Sequence, residues 1–547
     1  MVHSAITRVW YRWLAIGLLA VFAHTAGAAA PGGVNAALLA PLAASDTDAK
    51  LAAIAALGQL PDPTAARVLE ALNTGALFAT PAGRVLIGAG SAGGAALDPI
   101  DGSTLAMPAD ASAITINNRL RRAIAGALAA SRLFADDVQV RLQAAQRLQS
   151  GSDVALLPTL DAAREKERHP AVRDALDIAR ANLALQSDDP ARRRTAAELL
   201  GNTESAAFRP VLAALAIPRA DGSFSEPDAS VREAAVNALK QIDRHQALIE
   251  WSGNLFYGIS LGSVLLLAAI GLAITFGLIG VINMAHGELL MIGAYTTYMT
   301  QSFFRQWMPA WIDWYVIAAL PLAFVITALV GMALERTVIR WLYGRPLETL
   351  LATWGISLIL MQGVRTLFGA QNVEVSNPSW MSGGVTVLGG LVLTYNRIAI
   401  IVFAALVVFL VWLLLNHTRL GLFVRAITQN RRMADCVGVP TGRIDMLAFG
   451  LGSGIAGLAG VALSQLSNVG PDLGRGYIVD SFMVVVLGGV GQLAGTVIAA
   501  MGLGTVNKFL EPYAGAVLAK IIILVLIVLI VQKRPQGLFA PRGRSVE

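Results

Sequence analysis

From Asn254 to its end, the chain alternates long apolar segments with short polar loops. No charged residue occurs between Asn254 and Ala285, a run well beyond the roughly 20 residues needed to span a bilayer. Further apolar segments lie near residues 285–303, 313–334, 349–368, 396–416, 444–466, 481–503 and 514–531. This pattern predicts a polytopic transmembrane helical domain over residues 251–547.

The charged loops between these segments predict the orientation of the domain. Arginine residues concentrate in loops 335–348 and 417–443, and Lys533 opens a basic tail. By the positive-inside rule these parts are cytoplasmic, which places residues 31–250 outside the membrane. Eight full spans would leave the tail outside as well. We therefore expect the glycine-rich stretch Val484–Gly504 to be a broken or re-entrant segment lining a cavity, which gives seven full crossings and a cytoplasmic C-terminus.

The first 30 residues have the pattern of a secretory signal peptide. Arg8 and Arg12 precede an apolar stretch, Trp13–Ala23, that is too short to span a bilayer, and an A-x-A site follows at Ala26–Ala28. The alternative is an uncleaved amphipathic anchor. Length and flanking residues both favour the signal peptide, and export agrees with the orientation deduced from the charged loops.

Residues 31–250 have the composition of a soluble helical domain. Alanine-rich amphipathic runs begin beside four arginine residues, Arg141, Arg173, Arg193 and Arg232, and their apolar positions recur with a helical period. These runs resemble HEAT-type repeats, in which stacked helical units cover each other's apolar faces. An ordinary helical bundle is the alternative. Residues 80–115, rich in Gly, Ala and Pro, are expected to form a loop or a poorly packed insertion, so the predicted fold class is all-α.

Composition excludes several classes of protein. Hydrophobic residues make up 55% and charged residues 14% of the chain, and the single cysteine, Cys436, cannot form an internal disulfide. No basic patch is interleaved with aromatic residues, as a nucleic-acid surface would require. No lysine follows a glycine, so a Walker A loop is absent, and no two histidines stand at metal-ligand spacing. We therefore expect no catalytic site, no metal and no cofactor in this chain.

Three groups of residues are candidates for the translocation pathway of a transporter. Asn283, His286 and Glu288 lie between the first two spans, where Asn283 is expected to cap the next helix and Glu288 to stand in its first turn. Thr353 and Ser357 share one face of a later span. Each of these five could instead be structural, as a turn or as hydrogen bonds between helices. The third group comprises the glycines of the broken segment: Gly488, Gly489 and Gly491.

The basic loop 417–443 is a candidate docking site for a cytoplasmic partner. Its centre reads as a short amphipathic helix ended by Gly438 and followed by Pro440. The alternative is a loop that only fixes topology. The candidate coupling residues are Arg425, Asn430, Arg431, Ala434, Gly438 and Val439.

Several of these stretches resemble the permease subunits of branched-chain amino-acid ABC importers. The resemblance rests on Gly277–Gly280 with Asn283–Glu288, on Gly421–Val439, on Gly488–Gly491 and on the ending Arg534–Phe539. Within that class, Asn283–His286, Gly344–Thr353 and the long N-terminal extension look most like urea-transporter permeases. The resemblance implies a bacterial inner membrane location and a heteromer with a second homologous permease, two cytoplasmic ABC ATPases that hydrolyse ATP, and a periplasmic solute-binding protein.

The resulting hypothesis is an importer subunit that translocates urea by alternating access and is not itself an enzyme. Urea is neutral and needs no charged partner, whereas an amino acid would need groups for its carboxylate and ammonium. A branched-chain or other amino acid is the alternative substrate. A stand-alone channel or secondary transporter, or a sensory or scaffold protein, are alternatives of other classes.

Overall fold

The computed structural model describes residues 34–60, 62–88, 94–149, 151, 154–219, 221–280 and 282–539. The predicted signal peptide therefore lies outside the described residues. The chain divides into two compact units, residues 1–246 and 247–547, close to the predicted boundary at residue 250. Both units are mostly helical.

The first unit begins with three short helices and a small antiparallel sheet. The helices are α1 (Ala36–Ala43), α2 (Thr47–Gln59) and α3 (Pro63–Thr74). The strands are β1 (Leu77–Ala79), β2 (Val85–Gly88), β3 (Ala95–Leu97), β4 (Thr104–Ala106) and β5 (Ser112–Ala113), in the order β4-β3-β2-β1-β5. Buried residues of both parts, including Leu69 and Leu77, belong to one apolar core.

This sheet differs from the predicted loop or poorly packed insertion over residues 80–115, and it makes the first unit mostly helical rather than all-α. Phe78 pairs with Leu86, and Ile87 pairs with Leu97. The connections bend at Gly83 and Gly102, whose positive φ angles of 79° and 71° suit glycine. With two to four residues per strand, the alternation of apolar and polar positions was too short to recognise.

The rest of the first unit is a series of short helices. They are α4 (Asn118–Arg132), α5 (Val138–Leu148), α6 (Leu157–Lys166), α7 (Pro170–Ala184), α8 (Pro190–Asn202) and α9 (Arg209–Ala216), and the long α10 (Ala229–Ile279) begins here. The predicted apolar face of α7 is buried, including Val172, Leu176 and Leu183. Helix periodicity alone was therefore sufficient to place this part of the core.

A repeated arginine motif orders these helices. An aspartate caps each of α5, α8 and α10, and an arginine four residues later donates to two backbone carbonyls just before the cap. The three arginines are Arg141, Arg193 and Arg232. Arg141 also pairs with Glu167, and Arg193 with Glu226, at 2.6 and 2.7 Å. Each of these glutamates stands two residues before the cap of a later helix, so the ion pairs join successive parts of the series.

The second unit is built from long apolar helices. They are α11 (His286–Trp307), α12 (Tyr315–Thr337), α13 (Pro346–Phe368), α14 (Tyr395–His417), α15 (Arg419–Gln429), α16 (Arg431–Cys436), α17 (Thr441–Ser464), α18 (Leu473–Gly488) and α19 (Leu493–Lys533). Among the described residues, six helical segments are long and apolar enough to cross a membrane: 229–277, 309–337, 347–368, 395–417, 441–464 and 493–533. A hairpin of β6 (Gly384–Val387) and β7 (Leu391–Thr394), which the sequence did not predict, joins α13 to α14.

The glycine-rich stretch Val484–Gly504 is divided between two helices. Helix α18 ends at Gly488, residues 489–492 form a turn, and α19 continues to Lys533 with a kink at Gly515, where φ is 76°. The predicted break therefore lies at residues 489–492. Whether one of these pieces is re-entrant, and hence the number of full crossings, stays a prediction.

Candidate functional site

A turn between α10 and α11 places the first group of candidate residues. Asn283 Oδ1 accepts a hydrogen bond from the backbone N–H of Ala285 at 3.0 Å, and α11 begins at His286. Asn283 thus holds the turn just before the helix, but it is not the predicted cap, because Ala285 occupies the N-cap position and no side chain caps the helix. Glu288 stands in the first turn of α11, where the helix dipole favours a negative charge.

Helix α13 binds to this turn through two hydroxyl groups. Thr353 Oγ1 accepts from the backbone N–H of Met284 at 3.2 Å and donates to Thr349 O at 2.8 Å. One turn further along, Ser357 Oγ donates to Glu288 Oε1 at 2.9 Å. The predicted shared face of Thr353 and Ser357 is therefore the face that contacts the candidate site. Each of the two contacts, to Met284 and to Glu288, joins residues that are 69 positions apart in the sequence.

His286 is fully buried beneath the same turn. Its Nε2 lies 3.0 Å from the carbonyl oxygen of Ala268, so Nε2 carries the proton and donates it. In the neutral ring, Nδ1 is then a pure acceptor. An ideal Cβ on Gly271 would lie 3.0 Å from the His286 ring, so a glycine at this position leaves room for the imidazole.

Three buried polar atoms of this cluster have no hydrogen-bond partner in the part of the chain that the structure describes. They are Asn283 Nδ2, His286 Nδ1 and Glu288 Oε2. Each residue is at most 1% exposed. A buried polar group without a partner costs about 1 to 3 kcal/mol, so three in one cluster need a physical reason. One donor and two acceptors suit a small polar solute.

Tight glycine packing holds the base of this cluster. An ideal Cβ on Gly287 would lie 2.6 Å from the backbone oxygen of Gly474 in α18, and the converse distance is 2.2 Å. Helix α17 approaches α11 in the same way at Gly293 and Gly457, where the shortest such distance is 2.2 Å. Small residues at these positions let helix backbones touch, which is the usual basis of helix association in membranes.

The three candidate glycines of the broken stretch contact other backbone segments. A Cβ on Gly488 would lie 2.6 Å from the backbone of Gly495, and one on Gly489 would lie 2.3 Å from Phe539 O. Gly489 and Gly491 have φ angles of 93° and 81°, which favour glycine. Gly491 faces the backbone of Gly277. These contacts explain the glycines by packing, and their part in a translocation pathway stays a prediction.

The basic loop forms two short helices, α15 and α16, where its pattern predicted one at its centre. Asn430 caps α16 by accepting from the backbone N–H of Met433 at 3.0 Å. Ala434 is buried, Gly438 has a φ of 87°, and the N–H of Val439 returns to Ala434 O. Arg425 donates to Asn416 at 3.2 Å. Side chains on the outer face, including Met433 and Val437, are exposed.

The structure adds a polar network that the sequence analysis missed. Arg431, the first residue of α16, pairs with the fully buried Asp445 of α17 and lies over the ring of Tyr343 at 4.8 Å. The Tyr343 hydroxyl donates to Glu335 of α12 at 2.8 Å. The short helix α16 is therefore linked to two long membrane helices. The sequence feature that could have indicated this network is the presence of two acidic residues, Asp445 and Glu335, in apolar segments.

Comparison with known proteins identifies the class of the second unit. Residues 254–531 match the family described as "Branched-chain amino acid transport system / permease component". The high-affinity branched-chain amino acid transport system permease proteins LivH of Escherichia coli and BraD of Pseudomonas aeruginosa are 30% and 29% identical to the chain. Each match covers 52% of this chain and 94% of the relative. The chain belongs to this permease family.

A more distant match agrees with a transport role. The ribose import permease protein RbsC of Escherichia coli is 35% identical over 107 residues, which cover 18% of this chain and 33% of that protein. The permease is thus a polytopic membrane protein of the ABC transporter class. The polar cluster and the α15–α16 loop both lie within the residues matched by the family, whereas the first unit lies outside them.

Proposed function

We propose that this permease imports a branched-chain or other amino acid through an ABC transporter, with the polar cluster at the start of α11 contacting the solute. The carrying observation is the set of unpaired, buried atoms on Asn283, His286 and Glu288. Glu288 suits an ammonium group, and the Asn283 amide beside the α11 N-terminus suits a carboxylate. Relatives described as branched-chain amino acid permeases support this class of solute.

Urea is the second candidate. One donor and two acceptors also match the carbonyl and amide groups of urea, and the Asn283–His286 stretch resembles urea permeases. The relatives named above favour the amino acid, so urea, the substrate first expected from the sequence, is the second candidate.

Transport follows alternating access in this proposal. A periplasmic solute-binding protein delivers the solute, a second homologous permease completes the pathway, and two cytoplasmic ABC ATPases bind the α15–α16 loop. The network from Arg431 to Asp445 and Tyr343 supports this loop as the point where movement of the ATPases reaches the membrane helices. The chain itself makes no covalent bond and hydrolyses no ATP.

The first unit is proposed to be an exported, HEAT-like domain outside the inner membrane, with the C-terminus in the cytoplasm. Support comes from the ion pairs that join its successive helices and from the basic loops of the second unit. Cysteine labelling of intact cells tests this orientation. Label at an exposed position of the first unit with none at Cys436, which is also exposed, is expected; the reverse pattern would contradict the proposal.

Uptake of radiolabelled leucine and urea by cells with and without the gene tests the substrate. Glu288→Gln is expected to lower leucine uptake more than ten-fold, because the neutral amide loses the charge that holds the ammonium. Glu348→Gln is the matched control, since Glu348 is 57% exposed and its ion pair is with the neighbouring, exposed Arg345. Loss of urea uptake with unchanged leucine uptake would instead indicate that the site binds urea. Uptake that persists without the partner ATPases would overturn the ABC mechanism.

A further inference from the structure

A cleft within the first unit lies along one face of α4 and has a volume of about 1070 Å³. The middle of α4 contributes alanines, Gly126 and one larger side chain, Leu128, to it, and an ideal Cβ on Gly126 would meet nothing closer than 3.9 Å. Apolar side chains from neighbouring segments complete the floor. They are Leu51, Ile54, Leu148 and Leu156.

The rim of this cleft carries an excess of positive charge. Arg119, Arg122 and Arg132 of α4 and Arg147 of α5 line it, against the single acid Glu70 of α3. Arginine presents a planar fork of donors that fits a carboxylate with two parallel hydrogen bonds. An apolar floor with an arginine rim therefore selects a ligand that is both anionic and apolar.

The existing ion pairs of the rim do not close the cleft. Arg119 pairs with Asp48 at 3.0 Å, with side chains 65% and 75% exposed. Arg132 lies 3.6 Å from Glu70, with 42% and 62% exposure. Exposed pairs of this kind contribute about 0 to 1 kcal/mol, so an incoming carboxylate can replace them. Arg122 forms no ion pair with a described acidic residue, and its Nε donates to Asn118 O at 3.3 Å.

The length of the rim decides the size of the ligand. Arg119 and Arg132 are 13 residues apart on α4, which corresponds to about 20 Å along the helix axis. A small anion such as citrate cannot reach both ends. A peptide of about six residues in extended form can, at roughly 3.3 Å per residue, and its side chains point alternately to opposite faces.

We propose that this cleft binds an extended acidic segment of a partner protein, with carboxylates on the arginine rim and apolar side chains on the floor. The ends of this chain that the structure leaves undescribed are poor occupants. Residues 1–33 contain no acidic residue, and residues 540–547 contain two arginines and one glutamate. The occupant is therefore a separate protein, and the proposal does not depend on which solute the permease carries.

Fluorescence polarisation on the purified full-length chain tests the site. The probe is a fluorescein-labelled peptide of alternating Glu and Leu, about six residues long, and the comparison peptide alternates Lys and Leu. Arg122→Glu is expected to weaken binding of the acidic peptide at least ten-fold. Arg121→Glu makes the same charge change on the same helix at an exposed residue outside the cleft, and is expected to change it less than two-fold.

Gly126→Leu provides an independent variant, because its side chain fills open space in the cleft without altering charge. It is expected to block the acidic peptide while the circular dichroism spectrum is unchanged. Binding should also weaken with added salt, since rim charges are exposed and screened. Equal loss in Arg121→Glu and Arg122→Glu, equal binding of the Lys-Leu peptide, unaltered binding by Gly126→Leu, or full displacement by citrate would each overturn the proposal.

Discussion

Replacing Glu167 by glutamine tests the ion pair that joins α5 to α7 in the first unit. The Glu167 carboxylate accepts from Arg141 Nε at 2.6 Å and from Arg141 Nη2 at 3.2 Å. It also accepts from the backbone N–H groups of Arg168 and His169, both at 2.9 Å. The side chain is 5% exposed. A neutral amide has one acceptor oxygen for these four donors, so glutamine leaves part of the set unpaired.

The pKa of Glu167 gives the magnitude. The hydrogen bonds from Arg141 lower this pKa from its ordinary 4.5 to about 2. At about 1.4 kcal/mol for each pKa unit, that difference stabilises the folded unit by about 3 kcal/mol at neutral pH. Because the folded-state pKa is lowered, the stabilisation is complete above pH 4.5 and is lost as the pH falls towards 2. At pH 3 about 1.4 kcal/mol remains.

Hydrogen exchange of the purified full-length chain, followed by mass spectrometry, measures this effect locally. Peptides from α5 and α7 are expected to lose about 2 to 3 kcal/mol of protection in Glu167→Gln at pH 7, and about half of that or less at pH 3. Asp243→Asn is the matched control, because Asp243 and its partner Arg209 are both about half exposed and such pairs contribute about 0 to 1 kcal/mol. Equal protection in the two variants, or a larger difference at pH 3 than at pH 7, would refute the reasoning.

Three further predictions concern the second unit. Ser357→Ala removes a hydrogen bond to a buried carboxylate, worth about 1 to 2 kcal/mol, and is expected to lower solute uptake roughly 5- to 30-fold; unchanged uptake would place that carboxylate outside the pathway. Arg431→Met leaves the buried Asp445 unpaired, so thermal unfolding should show a loss of roughly 3 kcal/mol in the free energy of unfolding. The double variant Arg431→Met/Asp445→Asn should recover part of this loss, and no recovery would contradict the pairing. Gly287→Ala should lower both the unfolding temperature and solute uptake, because its Cβ would lie 2.6 Å from a backbone oxygen. In the control variant Gly502→Ala the new Cβ meets nothing within 4 Å, so neither quantity should change. Equal effects of the two variants would count against the packing argument.

Local patterns were sufficient to predict the helices but not the contacts between them. The aspartate caps and the apolar period of α7 are features of neighbouring residues, so the sequence contains them directly. The short strands of the first unit were missed because their stability comes from pairing across the sheet rather than from their own two to four residues. Long apolar segments placed the membrane helices, although the division of residues 481–533 between α18 and α19 depended on glycine packing that periodicity does not reveal.

The candidate site shows the same limit. Sequence spacing placed Thr353 and Ser357 on one face of α13, and it placed Glu288 in the first turn of α11. It could not pair Ser357 with Glu288, because 69 residues and two loops separate them. The pair of Arg431 and Asp445 was missed although only 14 residues separate them, because a turn of the chain between two helices brings them together.

The exposed face of α13 bears on how the hydrogen bond between Ser357 and Glu288 breaks. Leu351, Ile359 and Leu367 on this helix are 67%, 72% and 79% exposed, so α13 has one face on the candidate site and another towards lipid or another protein. Helices α11, α17 and α18 are instead locked by glycine contacts in which backbones touch. A packed interface resists small displacements, whereas the hydrogen bond from Ser357 to Glu288 can break without opening that block. Ser357 holds Oε1 of Glu288 and leaves Oε2 without a described partner, so movement of α13 would change the orientation in which that carboxylate meets a solute. We therefore expect the adjustable part of the proposed site on α13 and the fixed part on α11.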